Sequence, residues 1–156
     1  MTTKENKEIV RRMINILNSR DLSNLEEICD EKFVYRANYE IAAQDLNTYK
    51  GLLQLSFESF PDLEFSLEDI FSEGDKVHMI YKMEGSHEGE YLGIPPSNNK
   101  IDHGASSVLT VKNGKITEQH DFYDMLTFLK DLGAVSEEVR PDGKEWPTGG
   151  TTLGAR

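Results

Sequence analysis

The chain has 156 residues, with 17 Lys plus Arg against 28 Asp plus Glu, and its formal net charge is −11. This length fits a single domain with its own core, whereas an acidic surface repels phosphate groups and disfavours nucleic acid or an anionic membrane as a partner. The lone cysteine forms no disulfide within the chain, and we find neither an apolar leader nor an apolar run long enough to cross a bilayer, so a cytoplasmic protein is expected.

The first part of the chain is predicted to be mainly helical. Apolar residues recur at helical spacing over residues 9–17, and Thr2 with Glu5 can form a capping box in front of them. A short second helix follows, then a strand over residues 33–36 and a third helix over residues 43–59. These helices need an apolar partner layer, which the rest of the chain must supply.

After Pro61 the hydrophobic period changes from helical to alternating, which is typical of strands. Strands are predicted over residues 63–68, 76–84, 100–111 and 115–123, and a brief helix over residues 125–132. We therefore predict an α+β fold, a cone-shaped barrel in which a curved antiparallel sheet carries the N-terminal helices over its concave face. One domain is expected over residues 1–135, followed by an irregular tail over residues 136–156.

Side-chain parity in the last two strands predicts a polar pocket. Residues two apart share a face of a strand, and the more apolar set of the final strand is Ile116, Glu118, His120 and Phe122, continuing to Asp124. The opposite set, Lys115, Thr117, Gln119, Asp121 and Tyr123, is expected to be solvated or interfacial. In the preceding strand His103 and Ser107 belong to the apolar set. Glu118, His120, Asp124, His103 and Ser107 are therefore predicted to point into one pocket.

Titratable groups on an apolar face have two interpretations. Their pKa values are perturbed there, which suits acid–base catalysis. Alternatively, the histidines simply hydrogen bond to the neighbouring carboxylates, and these bonds offset the free energy lost when polar groups are buried. A metal ion is not expected, because no compact histidine spacing occurs, and no cofactor is expected, because the glycines at 85, 89 and 93 do not form a dinucleotide fingerprint. Neither Cys29 nor Ser107 lies in the sequence context of a nucleophile.

Several segments together resemble one known family. They are Phe60-Pro61-Asp62-Leu63, Glu73-Gly74-Asp75-Lys76-Val77, the run from Gly85 to Pro96 ending in Gly-Ile-Pro-Pro, Asn113-Gly114-Lys115-Ile116-Thr117-Glu118, and the stretch from Asp124 to Gly133. The family is the SnoaL-like polyketide cyclases, also called ester cyclases, in the nuclear-transport-factor-2-like superfamily. The resemblance runs from about Asn6 to Gly133 and implies helices over a curved sheet, often in a dimer formed through the outer sheet face.

The resemblance also implies site residues. The family pattern Glu-x-Trp-x-x-x-Asp falls on Glu118, on His120 in the tryptophan place, and on Asp124, which takes the acid–base role of the characterised cyclases. His103 departs from the family, because an apolar or aromatic residue is more usual there. The titratable His103 and His120 therefore leave the reaction type open within a superfamily that also contains hydroxylases, isomerases and epoxide hydrolases.

Our leading hypothesis from the sequence is a cofactor-independent enzyme acting on a polyketide-like small molecule. Asp124 removes a proton next to a carbonyl, His120 or His103 stabilises the oxyanion, and aldol cyclisation or isomerisation follows; Asp124→Asn should abolish turnover. The predicted substrate-binding residues are Phe33, Tyr35, Arg36, Met83, Tyr91, Leu92, Ser107 and Phe122. Arg36 either holds a substrate carboxylate or ester carbonyl or pairs with a surface acid.

Two rival hypotheses use the same pocket. One is an epoxide-hydrolase-like or oxygen-ring-forming enzyme, which needs the same acid–base pair with a water or hydroxyl nucleophile. The other is a non-catalytic protein that binds a small apolar ligand or serves as a dimeric accessory subunit. A homodimer is expected in each case, with no nucleic acid and no membrane partner.

Overall fold

The computed structural model describes residues 1–136, and every structural statement below concerns those residues. The elements are α1 (Thr3–Ser19), a 3-10 helix (Leu22–Glu27), β1 (Cys29–Ala37), β2 (Glu40–Ala43), α2 (Leu46–Ser59), β3 (Glu64–Glu73), β4 (Lys76–Ser86), β5 (Lys100–Lys112), β6 (Lys115–Tyr123) and α3 (Met125–Asp131). The predicted α+β class is confirmed. The predicted tail lies outside the described residues from 137 onward. No helix within 1–136 is long and apolar enough to span a membrane.

Six strands form one curved, open sheet in the order β2-β1-β6-β5-β4-β3. The strands from β3 to β6 are an antiparallel meander, as predicted. β1 differs, because it lies parallel to β6. β2 was not predicted; it pairs with β1 through a tight turn at Asn38 and Tyr39, whose φ angles of 45° and 76° have the sign that such hairpin turns require.

The helices cover one face of this sheet. α1 begins with the predicted capping box, in which Glu5 N–H donates to Thr2 and Thr2 N–H donates to Glu5. Near its end the Asn18 side chain donates to the Phe65 carbonyl at 2.8 Å and accepts from the Phe65 N–H at 2.9 Å. These two bonds fix α1 against edge strand β3. The apolar stripe of α1 is thereby buried against the sheet.

One extra residue in β6 decides which side chains face the helices. Val111 of β5 pairs with Ile116, whereas the adjacent Thr110 pairs with Glu118, so Thr117 is the additional residue of a β-bulge. A bulge shifts the alternation of faces by one residue. The side chains that follow Ile116 on the inner face are therefore Gln119, Asp121 and Tyr123.

Candidate active site

A cavity of about 270 Å³ lies between the helices and the concave face of the sheet. Its walls are mainly apolar and aromatic, with side chains from α1, α2, the inner face of the sheet, the loop after β4, and α3. A small, largely apolar enclosure with a few polar groups is the usual form of a small-molecule site. The polar groups on its wall therefore define its chemistry.

Asp121 forms one polar group of the cavity wall. Its carboxylate accepts hydrogen bonds on both oxygens: Oδ2 from the Tyr35 hydroxyl at 2.9 Å and the Tyr81 hydroxyl at 3.1 Å, and Oδ1 from Gln119 Nε2 at 2.8 Å and from the Ser107 hydroxyl. Four donors from four strands, β1, β4, β5 and β6, thus converge on a single buried carboxylate.

The electrostatics of this cluster follow from its burial. Desolvation disfavours the charged form and raises the pKa of Asp121, and the four hydrogen bonds oppose that shift. Burial also raises the pKa of Tyr35 and Tyr81 well above that of a free tyrosine, with the nearby Asp121 charge adding to the effect. The two phenols therefore stay protonated as donors, while Asp121 is a stronger base than an exposed aspartate.

His103 forms a second polar group, farther along β5. It is buried, lines the cavity, and its Nε2 lies 3.1 Å from Asp131 Oδ2 of α3. The Phe128 ring meets it edge to face, with ring centroids 5.3 Å apart. His103 and Ser107 are four positions apart on β5, which is about 13 Å at 3.3 Å per residue. The cavity therefore has two polar ends.

The lining carries few other charges. Among the described residues that line the cavity, the ionisable side chains besides the tyrosines are Asp121 and His103, and neither Lys nor Arg is present. No group of three or more His, Cys, Asp or Glu side chains within residues 1–136 could hold a metal ion. The carboxylate, imidazole, amide and hydroxyl groups on the wall can form hydrogen bonds and transfer protons.

The predicted inward placement of Glu118, His120 and Phe122 is wrong. All three lie on the outer face, because the bulge at Thr117 reverses the parity on which the prediction depended. Glu118 Oε1 accepts from Arg36 Nε at 2.8 Å, and both side chains are about one-third exposed. Arg36 was expected either to hold a substrate group or to pair with a surface acid, and the structure shows the surface ion pair. The His120 and Phe122 rings pack together with centroids 4.1 Å apart.

Asp124 is also outside the cavity, contrary to the prediction. β6 ends at Tyr123, and the exposed Asp124 is the N-cap of α3, where it accepts from the Thr127 N–H at 3.1 Å and the Thr127 hydroxyl at 2.6 Å. These hydrogen bonds lower the pKa of Asp124. Aspartate is among the residues preferred at the N-cap of a helix. The start of α3 therefore accounts for an aspartate at position 124.

The remaining predicted residues divide by position. Those that line the cavity are Tyr35, Met83, Tyr91, Leu92 and His103. Phe33 is buried behind the wall, with its ring centroid 4.8 Å from that of Tyr49. Ser107 is likewise buried and reaches the site through its hydrogen bond to Asp121. A role of any of these residues toward a substrate stays a prediction.

Asp121, Gln119, Tyr49, Tyr81 and Tyr123 were not among the predicted site residues, although all line the cavity. The Tyr49 hydroxyl donates to Gln119 Oε1 at 3.3 Å, which orients the amide that donates to Asp121. The available sequence signal was the alternate parity set of β6. This set could have been assigned to the inner face only if the bulge at Thr117 were known. Nothing in the local sequence identifies Thr117 as the bulged residue.

Comparisons with known proteins agree with this architecture. The family model of SnoaL-like polyketide cyclases matches residues 7–132. A candidate SnoaL-like polyketide cyclase from Jannaschia sp. CCS1 has a similar structure, with 23% identity, a TM-score of 0.78, and coverage of 85% of this chain and 94% of that chain. AclR, a candidate hydroxylase from Streptomyces galilaeus, gives 23% identity, a TM-score of 0.77, and coverage of 87% and 89%.

IdmH, a candidate polyketide cyclase from Streptomyces antibioticus, is 25% identical with a TM-score of 0.70, over 82% of this chain and 98% of that chain. No curated protein sequence matches the chain. Proteins with different candidate activities thus share this fold, and the fold alone does not choose a reaction. The family match spans most of the chain, which therefore belongs to the SnoaL-like polyketide cyclase family.

Proposed function

We propose that this protein is a cofactor-independent enzyme in which Asp121 removes a proton from the carbon next to a carbonyl of a polyketide-like substrate. The observation that carries the proposal is a buried carboxylate on the wall of an otherwise apolar cavity. Because burial raises its pKa, Asp121 accepts a proton more readily than a surface aspartate does. The family membership supports a small-molecule substrate.

The phenols beside Asp121 supply the complementary donor. Tyr35 and Tyr81 both donate to Oδ2, and a hydroxyl can rotate to donate to a substrate carbonyl instead. When Asp121 takes the α-proton, the C–H electron pair becomes that of the enolate, and negative charge collects on the carbonyl oxygen. A donor held beside this oxygen stabilises the charge.

The enolate has two productive fates in this cavity. In aldol cyclisation its carbon attacks a second carbonyl of the same molecule, and the resulting alkoxide takes the proton from Asp121. In isomerisation Asp121 returns the proton to a different carbon. The apolar wall, including Met83, Tyr91 and Leu92, folds the substrate so that the reacting atoms meet. Both fates share the same first step, so that step is the one to test.

Deuterium exchange tests proton removal without knowledge of the natural substrate. The probe is 4-phenylbutan-2-one, a small uncharged ketone, in deuterated buffer, with loss of the α-proton signals followed by NMR. We expect the wild-type protein to accelerate exchange and Asp121→Asn to abolish the acceleration. Tyr81→Phe, which keeps the ring and removes one donor, should slow exchange by about tenfold or more.

Folding and binding controls separate the outcomes. Circular dichroism shows whether each variant folds, and calorimetry shows whether it binds the ketone. Equal exchange rates for wild type and two folded variants, Asp121→Asn and Tyr81→Phe, would refute the proposal. Binding without any acceleration would point to a non-catalytic ligand-binding protein instead.

We also propose a homodimer formed through the outer face of the sheet. An outer apolar band crosses this face and consists of Phe71, Ile80, Val108, His120 and Phe122, with Tyr39 at its edge. Phe71 is 57% exposed and Tyr39 79% exposed, and exposed apolar side chains that adjoin one another mark an interaction surface. Light scattering should give twice the chain mass for wild type and the single mass for Ile80→Lys.

A cytoplasmic location is proposed from the cysteine. Cys29 is a free, buried thiol, and burial raises its pKa to about 12. It is thus a packed core residue with little thiolate, as suits a reducing compartment. Fractionation of cells that express the full chain would test the location.

A further inference from the structure

The two polar ends of the cavity are separated along β5. Asp121 and its donors lie at one end, and His103 lies about 13 Å away along β5, counted from Ser107 at 3.3 Å per residue. A hydrogen bond spans about 2.9 Å between heavy atoms. His103 is therefore placed to meet a part of the substrate other than the carbonyl at Asp121.

His103 is nevertheless held in a defined orientation. Asp131 Oδ2 lies 3.1 Å from Nε2, and the Phe128 ring packs edge to face against the imidazole. Nε2 lies near this carboxylate but makes no hydrogen bond of good geometry within residues 1–136. A carboxylate only accepts and so favours a proton on the nitrogen that faces it, and with the proton on Nε2 the other ring nitrogen, Nδ1, is an acceptor. The side chain thus offers a hydrogen-bond acceptor to a donor group, and a substrate hydroxyl is such a group.

The charge on the cavity wall restricts the rest of the ligand. The described lining holds neither Lys nor Arg, so a carboxylate or phosphate on the substrate would be buried without either of these cations as a partner, which is costly. Asp121 already accepts four hydrogen bonds from the protein. The aromatic and aliphatic walls between the two ends suit an uncharged, apolar middle section.

We infer that His103 is a specificity-determining residue, which accepts a hydrogen bond from a hydroxyl at the end of an uncharged substrate remote from the carbonyl at Asp121. The substrate class is thus a hydroxylated ketone, with a phenol as the simplest donor and an apolar spacer between the two oxygens. This inference rests on the proposed function only in placing the reacting carbonyl at Asp121.

A pair of ketones that differ in one hydroxyl tests this inference. The probes are 4-(4-hydroxyphenyl)butan-2-one and 4-phenylbutan-2-one, whose affinities are measured by calorimetry at pH 7. One neutral hydrogen bond corresponds to about a 3- to 10-fold gain in affinity, and we expect the wild-type protein to prefer the phenol by that factor. His103→Leu should bind both ketones equally, because leucine fills a similar volume and has no hydrogen-bond acceptor.

Two controls keep a structural role apart from recognition. His120→Leu makes the same exchange on the outer face and should retain the preference. The methyl ether of the phenol cannot donate, so wild type should bind it no better than the unsubstituted ketone, a test that needs no variant. Equal affinities of wild type for the two ketones, binding of neither, or a preference that persists in folded His103→Leu would overturn the inference.

The proposed function and this inference fail in distinguishable ways. Loss of α-proton exchange in Asp121→Asn concerns the reacting end, whereas loss of the preference for phenol in His103→Leu concerns the remote end. A protein that shows the preference for phenol without exchange is a selective binding protein. A protein that shows exchange at equal affinities for the two ketones is an enzyme whose substrate is not anchored by His103.

Discussion

Ser107 and Asp121 are directly opposed on neighbouring strands β5 and β6, and the serine hydroxyl donates to the aspartate carboxylate. This pair connects the sheet to the chemistry proposed for the cavity, because the register of two strands brings a donor to a buried base. The same hydrogen bond lowers the pKa that burial has raised. Ser107 therefore controls how much of Asp121 is ionised at a given pH.

Replacement of Ser107 by Ala should raise the pKa of Asp121 further. The rate of α-proton exchange should rise with pH as Asp121 ionises. This rise should then occur at higher pH in the variant, because a smaller fraction of the base is ionised at each pH. Loss of a donor to a buried charged group should also lower the free energy of unfolding by about 1–3 kcal/mol. Exchange rates from pH 4 to pH 9 and urea unfolding measure the two effects.

Ser106→Ala is the matched control, since Ser106 is the adjacent residue on the opposite face and its hydroxyl lies 2.9 Å from His78 Nε2. Its pH–rate profile should coincide with that of wild type. A profile of Ser107→Ala that also coincides with wild type would contradict the proposed link.

Asp121→Asn and Asp124→Asn should have opposite effects. Asp121→Asn replaces the proposed base and should remove the acceleration of exchange. Asp124→Asn keeps a good N-cap on α3 and lies outside the cavity, so it should retain most of the wild-type rate. Exchange assays on the two variants under the same conditions decide the matter, and loss of exchange in Asp124→Asn alone would restore the role that the family pattern suggested for that residue.

His87 should make the loop after β4 sensitive to acid. His87 is fully buried, its Nδ1 accepts from the Ser97 N–H at 3.2 Å, and its ring stacks on Phe60 with centroids 5.2 Å apart. Burial lowers its pKa below the value of about 6.5 for an exposed histidine, so the folded protein binds this proton less readily than the unfolded chain. The stability that neutral His87 contributes is complete above that unfolded value and is lost as the pH falls through the folded pKa.

The measurement is the urea midpoint of wild type and of His87→Phe between pH 5 and pH 8. His87→Phe retains a ring against Phe60 and cannot titrate. We expect the wild-type midpoint to fall more steeply below about pH 6.5 than that of the variant. Parallel curves would show that His87 does not contribute to the acid sensitivity.

Glu118→Gln should have little effect on catalysis. Its partner is Arg36, and both side chains are about one-third exposed. Because solvent screens such a pair, it contributes about 0–1 kcal/mol to the free energy of unfolding. We expect an unchanged exchange rate and a fall in unfolding free energy within that range. A large loss of exchange in folded Glu118→Gln would instead connect the outer face to the reaction.

The sequence predicted the fold better than the site. Alternation after Pro61 correctly gave the antiparallel strands, because each strand has one buried and one exposed face. The same alternation placed His103 correctly, since β5 pairs with β4 without a shift in register. It failed in β6, where one bulged residue, Thr117, separates Ile116 from the rest of the inner set.

The buried carboxylate could not be predicted for a related reason. Asp121 is stabilised by donors that lie far from it in the chain, including Tyr35 and Tyr81. A local pattern records only that an acidic residue occupies a strand, and it assigns such a residue to solvent. Asp124 was wrongly predicted to face the pocket. It follows Phe122 at the two-residue spacing of a strand, although it is the N-cap of α3.

The bulge at Thr117 also has a consequence for how this chain can change over time. The segment after it carries two interleaved sets of side chains, one toward the cavity and one toward the outer apolar band. A deletion or insertion of a single residue there would exchange the two sets at once, turning Asp121 outward and His120 inward. Substitutions can therefore tune either face separately, whereas a length change in this short stretch would replace both the reactive wall and the outer face in one mutational step.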